Sequence, residues 1–236
     1  MDIIIPAAGL SSRFPGMPPK YLLEDPSGQL MIERAMAPFR DLGPVTIAIL
    51  GQHVTQWNSR RLLRDRLGSG VSIVVLDSQT RGPAHTVDRV LALTGIQGPI
   101  LIKDCDNYWS FSSIEDQNAV WTGQLSDYPH LTNVAAKSYV VANDQDLIAG
   151  IVEKQVVSGS FVAGGYQFRS AAQYREHYGA ISGSTGELFV SRVIDHMLDA
   201  GTVFLQAPVK DFVDVGTLGD WQAYTGNGGG EYFSGR

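Results

Sequence analysis

Four short runs rich in Ile, Val and Leu, at residues 3–5, 45–50, 71–76 and 99–103, pass with almost no polar alternation. A strand with one wet face alternates apolar and polar residues. Runs of this kind therefore belong to strands covered on both faces, the condition of a parallel sheet flanked by helices. The segments between them carry a helical period. At 30–42, Ile32, Ala35, Met36 and Phe39 recur at helical spacing, and Gly43-Pro44 supplies the stop. Further helices are predicted at 57–67 and 84–93.

Strands and helices in alternation predict an α/β fold built on a single doubly wound, Rossmann-like, mostly parallel sheet. After Asp106 the rhythm changes to extended segments at 132–141, 148–153 and 160–168, which predict a smaller mixed lobe with more antiparallel pairing. Helices at 171–178 and 187–200, strands at 203–207 and 211–215 and a short helix near Asp220 complete the reading. A chain of 236 residues holds one such core with a small lobe and is tight for two full domains, so 1–225 reads as one domain. The glycine-rich stretch 226–236 reads as a flexible tail.

Composition narrows the function classes. Hydrophobic residues make up 44% and charged residues 18%, with neither a low-complexity tract nor a fixed-period repeat, so the chain is globular. Asp and Glu, 24 in all, outnumber the 18 Lys and Arg, and the net charge of −6 argues against nucleic acid as partner. The N-terminus, MDIIIPAAG, lacks a basic leader and its apolar run is cut by Pro6 and Gly9, so no signal peptide and no membrane span is expected. A lone cysteine, Cys105, leaves no intramolecular disulfide and suits a cytoplasmic setting.

The chemistry concentrates where the first strand ends. Ala7-Ala8-Gly9-Leu10-Ser11-Ser12-Arg13-Phe14 is followed by Pro19-Lys20. Small residues such as Ala8, Gly9, Ser11 and Ser12 let backbone N–H groups approach an anion, while Arg13 and Lys20 can neutralise phosphate oxygens. The loop lacks both the G-K-[ST] ending of a P-loop and the G-x-G-x-x-G spacing of a dinucleotide site. Alone, it can also be read as an ordinary strand-to-loop turn with two exposed cations.

The segment PAAGLSSRFPGMPPKYLL, residues 6–23, resembles the signature of the sugar-phosphate nucleotidylyltransferase family, whose A-A-G-x-[GS]-[ST]-R loop is followed by a P-K pair. Later segments agree in order: Thr80-Arg81-Gly82-Pro83-Ala84, Lys103-Asp104-Cys105-Asp106-Asn107, Glu153-Lys154, Gly164-Gly165-Tyr166-Gln167-Phe168 and Asp214-Val215-Gly216-Thr217. The resemblance implies a nucleotide half at about 1–110 and an acceptor half at about 111–225. It also implies an enzyme of nucleotide-sugar and polysaccharide biosynthesis that joins an NTP to a phosphorylated small molecule, foremost a sugar 1-phosphate, and releases pyrophosphate.

By the same resemblance, Asp106 and Asp214 would hold Mg²⁺, and Arg13 and Lys20 would contact the triphosphate. Base recognition would fall to Gly82 and the first loop. Lys154 would neutralise the acceptor phosphate, with Glu153, Gly165, Tyr166 and Glu187 around the acceptor. The chemistry of the residues agrees, because Mg²⁺ takes a few carboxylates plus phosphate oxygens, and an Asp at the carboxyl end of a parallel strand stands where such sheets bind ligands. Each residue also has a plainer reading: Asp106 and Asp214 as turn residues, Tyr166 as core, and Ser184 with Glu187 as a capping box opening the next helix. Arg13, Lys20, Asp106 and Lys154 are the expected catalytic set. His85 reads as a helix-surface residue, and His53, His130, His177 and His196 show no metal-ligand spacing.

Three alternatives stay open. Acceptors in the family include phosphocholine as well as sugars. Asp104-Cys105-Asp106 is also the D-x-D pattern of nucleotide-sugar glycosyltransferases, and strand alternation turns Asp104 and Asp106 to one face, where Asp104 would serve the nucleotide. A silent nucleotide-binding regulatory module is the third. The chain stops soon after Thr217, so an appended hexapeptide-repeat β-helix with acetyltransferase activity is not expected. Self-association is left open.

Overall fold

A computed structural model of the chain describes residues 1–226. The tail expected at 226–236 lies outside the described residues, apart from Gly226 itself.

The apolar runs become strands β1 (Asp2–Pro6), β2 (Val45–Leu50), β3 (Val71–Leu76) and β4 (Ile100–Lys103), with β1 lying between β2 and β4 and all of them parallel. Every residue of β2 and β4 is buried. The reason is two-sided cover: along β1, Ile4 packs into one apolar cluster while Ile3 and Ile5 pack into the other, and β4 divides Ile100 and Ile102 from Leu101 in the same way. Chain order runs from β1 outward to β2 and β3, then returns to the other side of β1 with β4. That reversal between β1 and β4 is a topological switch point, and it opens a crevice beyond the carboxyl ends of the strands.

The second half extends the same sheet and adds one small separate ribbon. Strands β5 (Asn107–Ser110), β6 (Ala119–Gln124), β7 (Ser138–Ala142), β8 (Ile148–Glu153), β9 (Ser160–Phe168), β10 (Leu205–Pro208) and β11 (Lys210–Asp214) follow in chain order. β9 runs antiparallel beside β4, β6 runs antiparallel beside β9, and β10 closes the edge parallel to β6. β7 and β8 form a hairpin joined to β9. β5 and β11 make a separate antiparallel ribbon.

The helices are α1 (Met31–Met36), α2 (Gly51–Trp57), α3 (Ser59–Leu67), α4 (Pro83–Thr94), α5 (Ala171–Ile181), α6 (Val190–Asp199) and α7 (Leu218–Gly226). Three differ from expectation for identifiable reasons. The helix expected at 30–42 tightens to a 3-10 helix at Ala37–Leu42, because Pro38 offers no N–H to the preceding turn. The helix expected at 57–67 begins six residues earlier as α2 and breaks at Asn58, whose φ of 49° is left-handed; α2 buries only His53, so it carries no apolar stripe.

Helix α6 begins at Val190, not at 187. The Leu188 N–H donates to the Arg81 carbonyl at 2.6 Å and the Leu188 carbonyl accepts from the Ala84 N–H at 3.0 Å, which holds 187–189 extended along the β3–α4 turn. Ser184 and Glu187 therefore form no capping box. Among the described residues, no helix is long and apolar enough to cross a membrane.

Candidate active site

A cleft of about 720 Å³ opens at the switch point. One wall is the loop after β1, the turn after β3 and the 104–106 segment after β4; the other is the open end of the β7–β8 hairpin, the middle of β9 and residues 186–190. Ala8, Gly9, Ser11, Ser12, Arg13, Lys20, Gly82, Asp104, Asp106, Glu153, Lys154, Tyr166, Glu187 and Asp214 all line it. Of the expected site residues only Gly165 does not.

Gly165 is a correction with a clear cause. A Cβ there would stand 2.5 Å from the Trp109 ring and 3.0 Å from Trp121, so its missing side chain makes room for the aromatic core. The glycine facing the cleft is its neighbour, Gly164. Between the pairs Trp121–Gly165 and Thr122–Val162 the register of β9 shifts, and Gly164 sits in that bulge at φ 73°. A Cβ on Gly164 would meet Asn107 Nδ2 at 2.3 Å and Asp104 Oδ2 at 2.7 Å. The Asp104 N–H donates to the Gly164 carbonyl at 2.8 Å, tying the acidic segment to β9.

In the first loop, the Lys20 N–H donates to Ser11 Oγ at 3.0 Å and the Phe14 N–H to the Ser11 carbonyl at 2.8 Å, while Phe14 is buried in a cluster with Met31, Tyr108 and Trp221. The loop is thus folded back on itself and held from below. Gly9 is required neither by φ nor by packing, since nothing lies within 4 Å of a Cβ placed on it. A glycine of that kind facing a cleft suits close approach of a ligand. Arg13 is exposed at the rim, with no ion-pair partner among the described residues. Gly82, at φ 132°, has a packing reason as well: its Cβ would meet the Leu188 carbonyl oxygen at 2.6 Å.

Asp106 and Asp214 lie 108 positions apart in numbering and are brought together by the β5–β11 ribbon, in which Asp214 pairs with Asn107 and the Val215 N–H donates to the Asp106 carbonyl at 3.0 Å. Oδ2 of Asp106 and Oδ1 of Asp214 each stand 3.1 Å from the point that a Cβ on Gly216 would occupy. Two carboxylates thus converge on one small volume kept open by a glycine. Each carries a lysine, with Lys20 Nζ 2.5 Å from Asp106 and Lys137 Nζ 2.6 Å from Asp214. Burial pushes the Asp106 carboxyl up, but the ammonium groups of Lys20, Lys103 and Lys137 outweigh it and hold the group at about 2. Asp104 goes the other way: burial and then the Asp106 charge lift it to about 7.

Beneath this segment, the fully buried Lys103 donates to the carbonyls of Asp104 and Asn107 and to Asn107 Oδ1, at 2.6, 2.9 and 2.6 Å. These bonds fix the bend that projects both aspartates. Asp104 and Asp106 face the cleft as expected but not each other's partners: Asp104 sits against Gly164, and Asp106 against Gly216 and Lys20. Cys105 is buried between them, its thiol pushed up to about 12 by burial.

On the opposite wall, Glu153 Oε1 accepts from Ser138 Oγ at 2.7 Å and from Ser191 Oγ, so the end of β8 is fastened to β7 and to α6. Lys154 is exposed, at φ 54°, and its ammonium lies 4.6 Å from the centre of the Phe189 ring. Tyr166, 8% exposed, forms part of the floor and also packs in the core, so both of its expected roles coexist. Glu187 is exposed on the far lip. Arg81 donates to the carbonyls of Ser182, at 2.7 Å, and Ser184, fixing the loop that presents it.

Sequence reasoning passed over Lys137, Gly164, Arg81 and Phe189 as site residues. For Lys137 a signal existed: it precedes a strand that can pair with the one ending in Glu153-Lys154. His85 accepts from the Arg81 N–H at 3.1 Å, stacks on Tyr178 and stays outside the cleft lining. His177 and His196 do meet, Nδ1 to Nδ1 at 2.8 Å, between α5 and α6. No group of three or more His, Cys, Asp or Glu side chains suited to a metal occurs among the described residues.

Among solved structures, a nucleoside-diphosphate-sugar pyrophosphorylase from Vibrio cholerae RC9 superposes with a TM-score of 0.80 at 21% identity, over 94% of this chain and 99% of that one. The CTP:phosphocholine cytidylyltransferase of Streptococcus pneumoniae gives 0.74 at 15% identity, over 96% and 97%. The inositol-1-phosphate CTP transferase of T. maritima gives 0.71 at 15%, over 93% and 90%. The chain shares their fold. No protein-family model matches the sequence, and no curated protein matches it. The likeness to these solved structures is therefore one of architecture, over 93–96% of this chain.

Proposed function

We propose that this chain is a Mg²⁺-dependent nucleotidylyltransferase that condenses an NTP with a phosphorylated small molecule, in the first instance a sugar 1-phosphate, and releases pyrophosphate. The observation that carries the reading is the convergence of Asp106 and Asp214 on Gly216, between Lys20 and Lys137, at the carboxyl edge of the sheet. Two carboxylates fit Mg²⁺, which takes few protein ligands and completes its shell with phosphate oxygens and water. The glycine fits too, since any side chain at 216 would press on both carboxylates. When bound, the ion would supply charge stabilisation to the phosphates.

The remaining work falls to the chain. A phosphate monoester has a second pKa of about 6, so the attacking oxygen is anionic at neutral pH and needs no general base. That oxygen forms a bond to the α-phosphorus as the bond from the α-phosphorus to the pyrophosphate oxygen breaks, and the electron pair leaves with pyrophosphate. Holding two polyanions in line is mainly positioning and electrostatics. Gly9 and the small residues beside it admit the triphosphate to the backbone, Arg13 and Lys20 meet its charge, and Lys154 meets the acceptor phosphate. Glu187 and Tyr166 border the rest of the acceptor. The D-x-D glycosyltransferase reading loses support, because Asp106 has its carboxylate partner in Asp214 and not in Asp104. A silent regulatory module gains none, since Lys20 and both aspartates are in place. A cytoplasmic site of action and a part in polysaccharide biosynthesis belong to the same proposal.

The similarity to the Streptococcus pneumoniae phosphocholine enzyme, with the cation over Phe189, keeps a quaternary-ammonium acceptor as the second reading. Pyrophosphate release with each common NTP, against sugar 1-phosphates, phosphocholine and other phosphorylated metabolites, separates the two. Release with at least one pair is expected, and sugar phosphates are expected to outperform phosphocholine. Transfer from an NDP-sugar without pyrophosphate formation would overturn the reading.

A further inference from the structure

Arg13, Lys20 and Lys154 have tasks in the proposed reaction; Lys137 has none, although its side chain is set deeper than that of Lys20, 12% against 26% exposed. Its ammonium lies 5.0 Å from the Phe212 ring and 5.7 Å from Phe161, both buried, so aromatic faces limit where it can move. The Lys137 carbonyl accepts from the Lys154 N–H at 3.0 Å. The two lysines thus leave from bonded points at the open end of the β7–β8 hairpin, opposite its turn, Lys154 toward the outer wall and Lys137 toward Asp214. Asp214 Oδ1 accepts from the Gly216 N–H at 3.0 Å while Oδ2 is taken by Lys137, so both oxygens are engaged in the free protein.

A divalent cation reaching Asp214 meets an ammonium already on that carboxylate, and two positive centres a few ångströms apart in a partly dry site repel strongly. Without Lys137 or an ion, Asp106 and Asp214 would face each other uncompensated on that side. We propose that Lys137 is a placeholder for the divalent ion: it neutralises Asp214 in the free protein and, once the ion takes that carboxylate, passes to the phosphate oxygens that enter with the substrates. This rests on reading Asp106 and Asp214 as the ion site.

The test is Mn²⁺ titration of the nucleotide-free protein, followed by the electron paramagnetic resonance of unbound Mn²⁺, and calorimetry of pyrophosphate binding at saturating Mn²⁺. Lys137→Met, whose apolar stem still packs on the two phenylalanines, is expected to bind Mn²⁺ about fivefold more tightly, the worth of one modest ion pair. The same variant is expected to bind pyrophosphate less tightly, and Lys137→Arg to behave as the wild type in both. A purely structural role would weaken both. Lys137→Gln, which can still donate to Asp214, repeats the comparison if the Met variant fails to fold. Mn²⁺ affinity unchanged or weakened in a folded variant, with binding lost in Asp214→Asn, overturns the placeholder alone. A wild type that binds no Mn²⁺ overturns the ion site and the placeholder with it.

Discussion

On the β1 side of the cleft, the inward-facing groups come in chain order from a few strand ends: Ala8 to Arg13, Lys20, Gly82, then Asp104 and Asp106. On the β9 side they are assembled across distance: Glu153 is held by Ser138 and Ser191, Lys154 lies on Phe189, and Gly164 fits against Asn107 and Asp104. The first wall is a strand-end design in which the backbone does much of the work. The second depends on antiparallel pairings and one bulge that bring remote side chains into register. Asp106 and Asp214 stand at the seam: the β1 side gives Asp106 and Lys20, the β5–β11 ribbon gives Asp214, and the β9 side gives Lys137, all to the same small volume.

If the seam is where the chemistry happens, Asp106→Asn should lower turnover by about 10²–10³, the scale of losing a preorganised electrostatic group, while far-ultraviolet circular dichroism stays that of the wild type. Near-normal pyrophosphate release would remove Asp106 from the mechanism and make the contrast between the walls irrelevant to function. The glycines come next. Gly164→Ala places a Cβ on Asn107 and Asp104 from a left-handed backbone and should cost about 2–4 kcal/mol in denaturant unfolding. Gly9→Ala meets open space and should change stability by less than about 0.5 kcal/mol, yet raise the KM for NTP. Equal stability losses would mean that the walls are not built by different means.

The smallest effect concerns groups outside the cleft. Burial pushes His53, His85 and His177 below the ordinary histidine value of 6.5, and His177 is lowered further by His196. A histidine whose folded pKa is depressed takes up its proton more readily when unfolded. Its contribution is therefore present above pH 6.5 and lost as pH falls through the folded values. Denaturant midpoints should decline from pH 7.5 to 5.5, with part of the slope absent in His177→Gln. His53 and His85 lie in the first half and His177 in the second, so a single cooperative transition throughout would show the walls stabilised as one unit.

The same contrast explains what could be read from the sequence. β2, β3, β8 and β9 fall at the expected residues; in β2 and β9 the burial is written locally as apolar runs, whereas β3 buries only Leu76 and β8 only Ile148 and Ile151. β5 and β6 were not foreseen: NYWS is four residues long, and AVWTGQ includes Gly123, whose missing side chain accommodates Phe161. The β1-side residues were legible for the same local reason. Gly164 and Phe189 were not, since their positions in the cleft depend on the bulge and the extended course of 187–189, and Lys137 was legible only through the pairing of its strand with β8. Ser184 to Glu187 had the letters of a capping box, but the hydrogen bonds of Leu188 to the β3–α4 turn prevailed. A threonine N-cap does open α7, where the Asp220 N–H donates to Thr217 Oγ1 at 3.2 Å.

The shared carboxylate site is tested most directly by Mn²⁺ stoichiometry and affinity in the wild type, Asp106→Asn, Asp214→Asn and the double variant. One ion per chain is predicted, with either single change weakening binding nearly as much as the two together, because both carboxylates serve one ion. Losses that simply add, or a single variant that binds as the wild type does, would contradict the account.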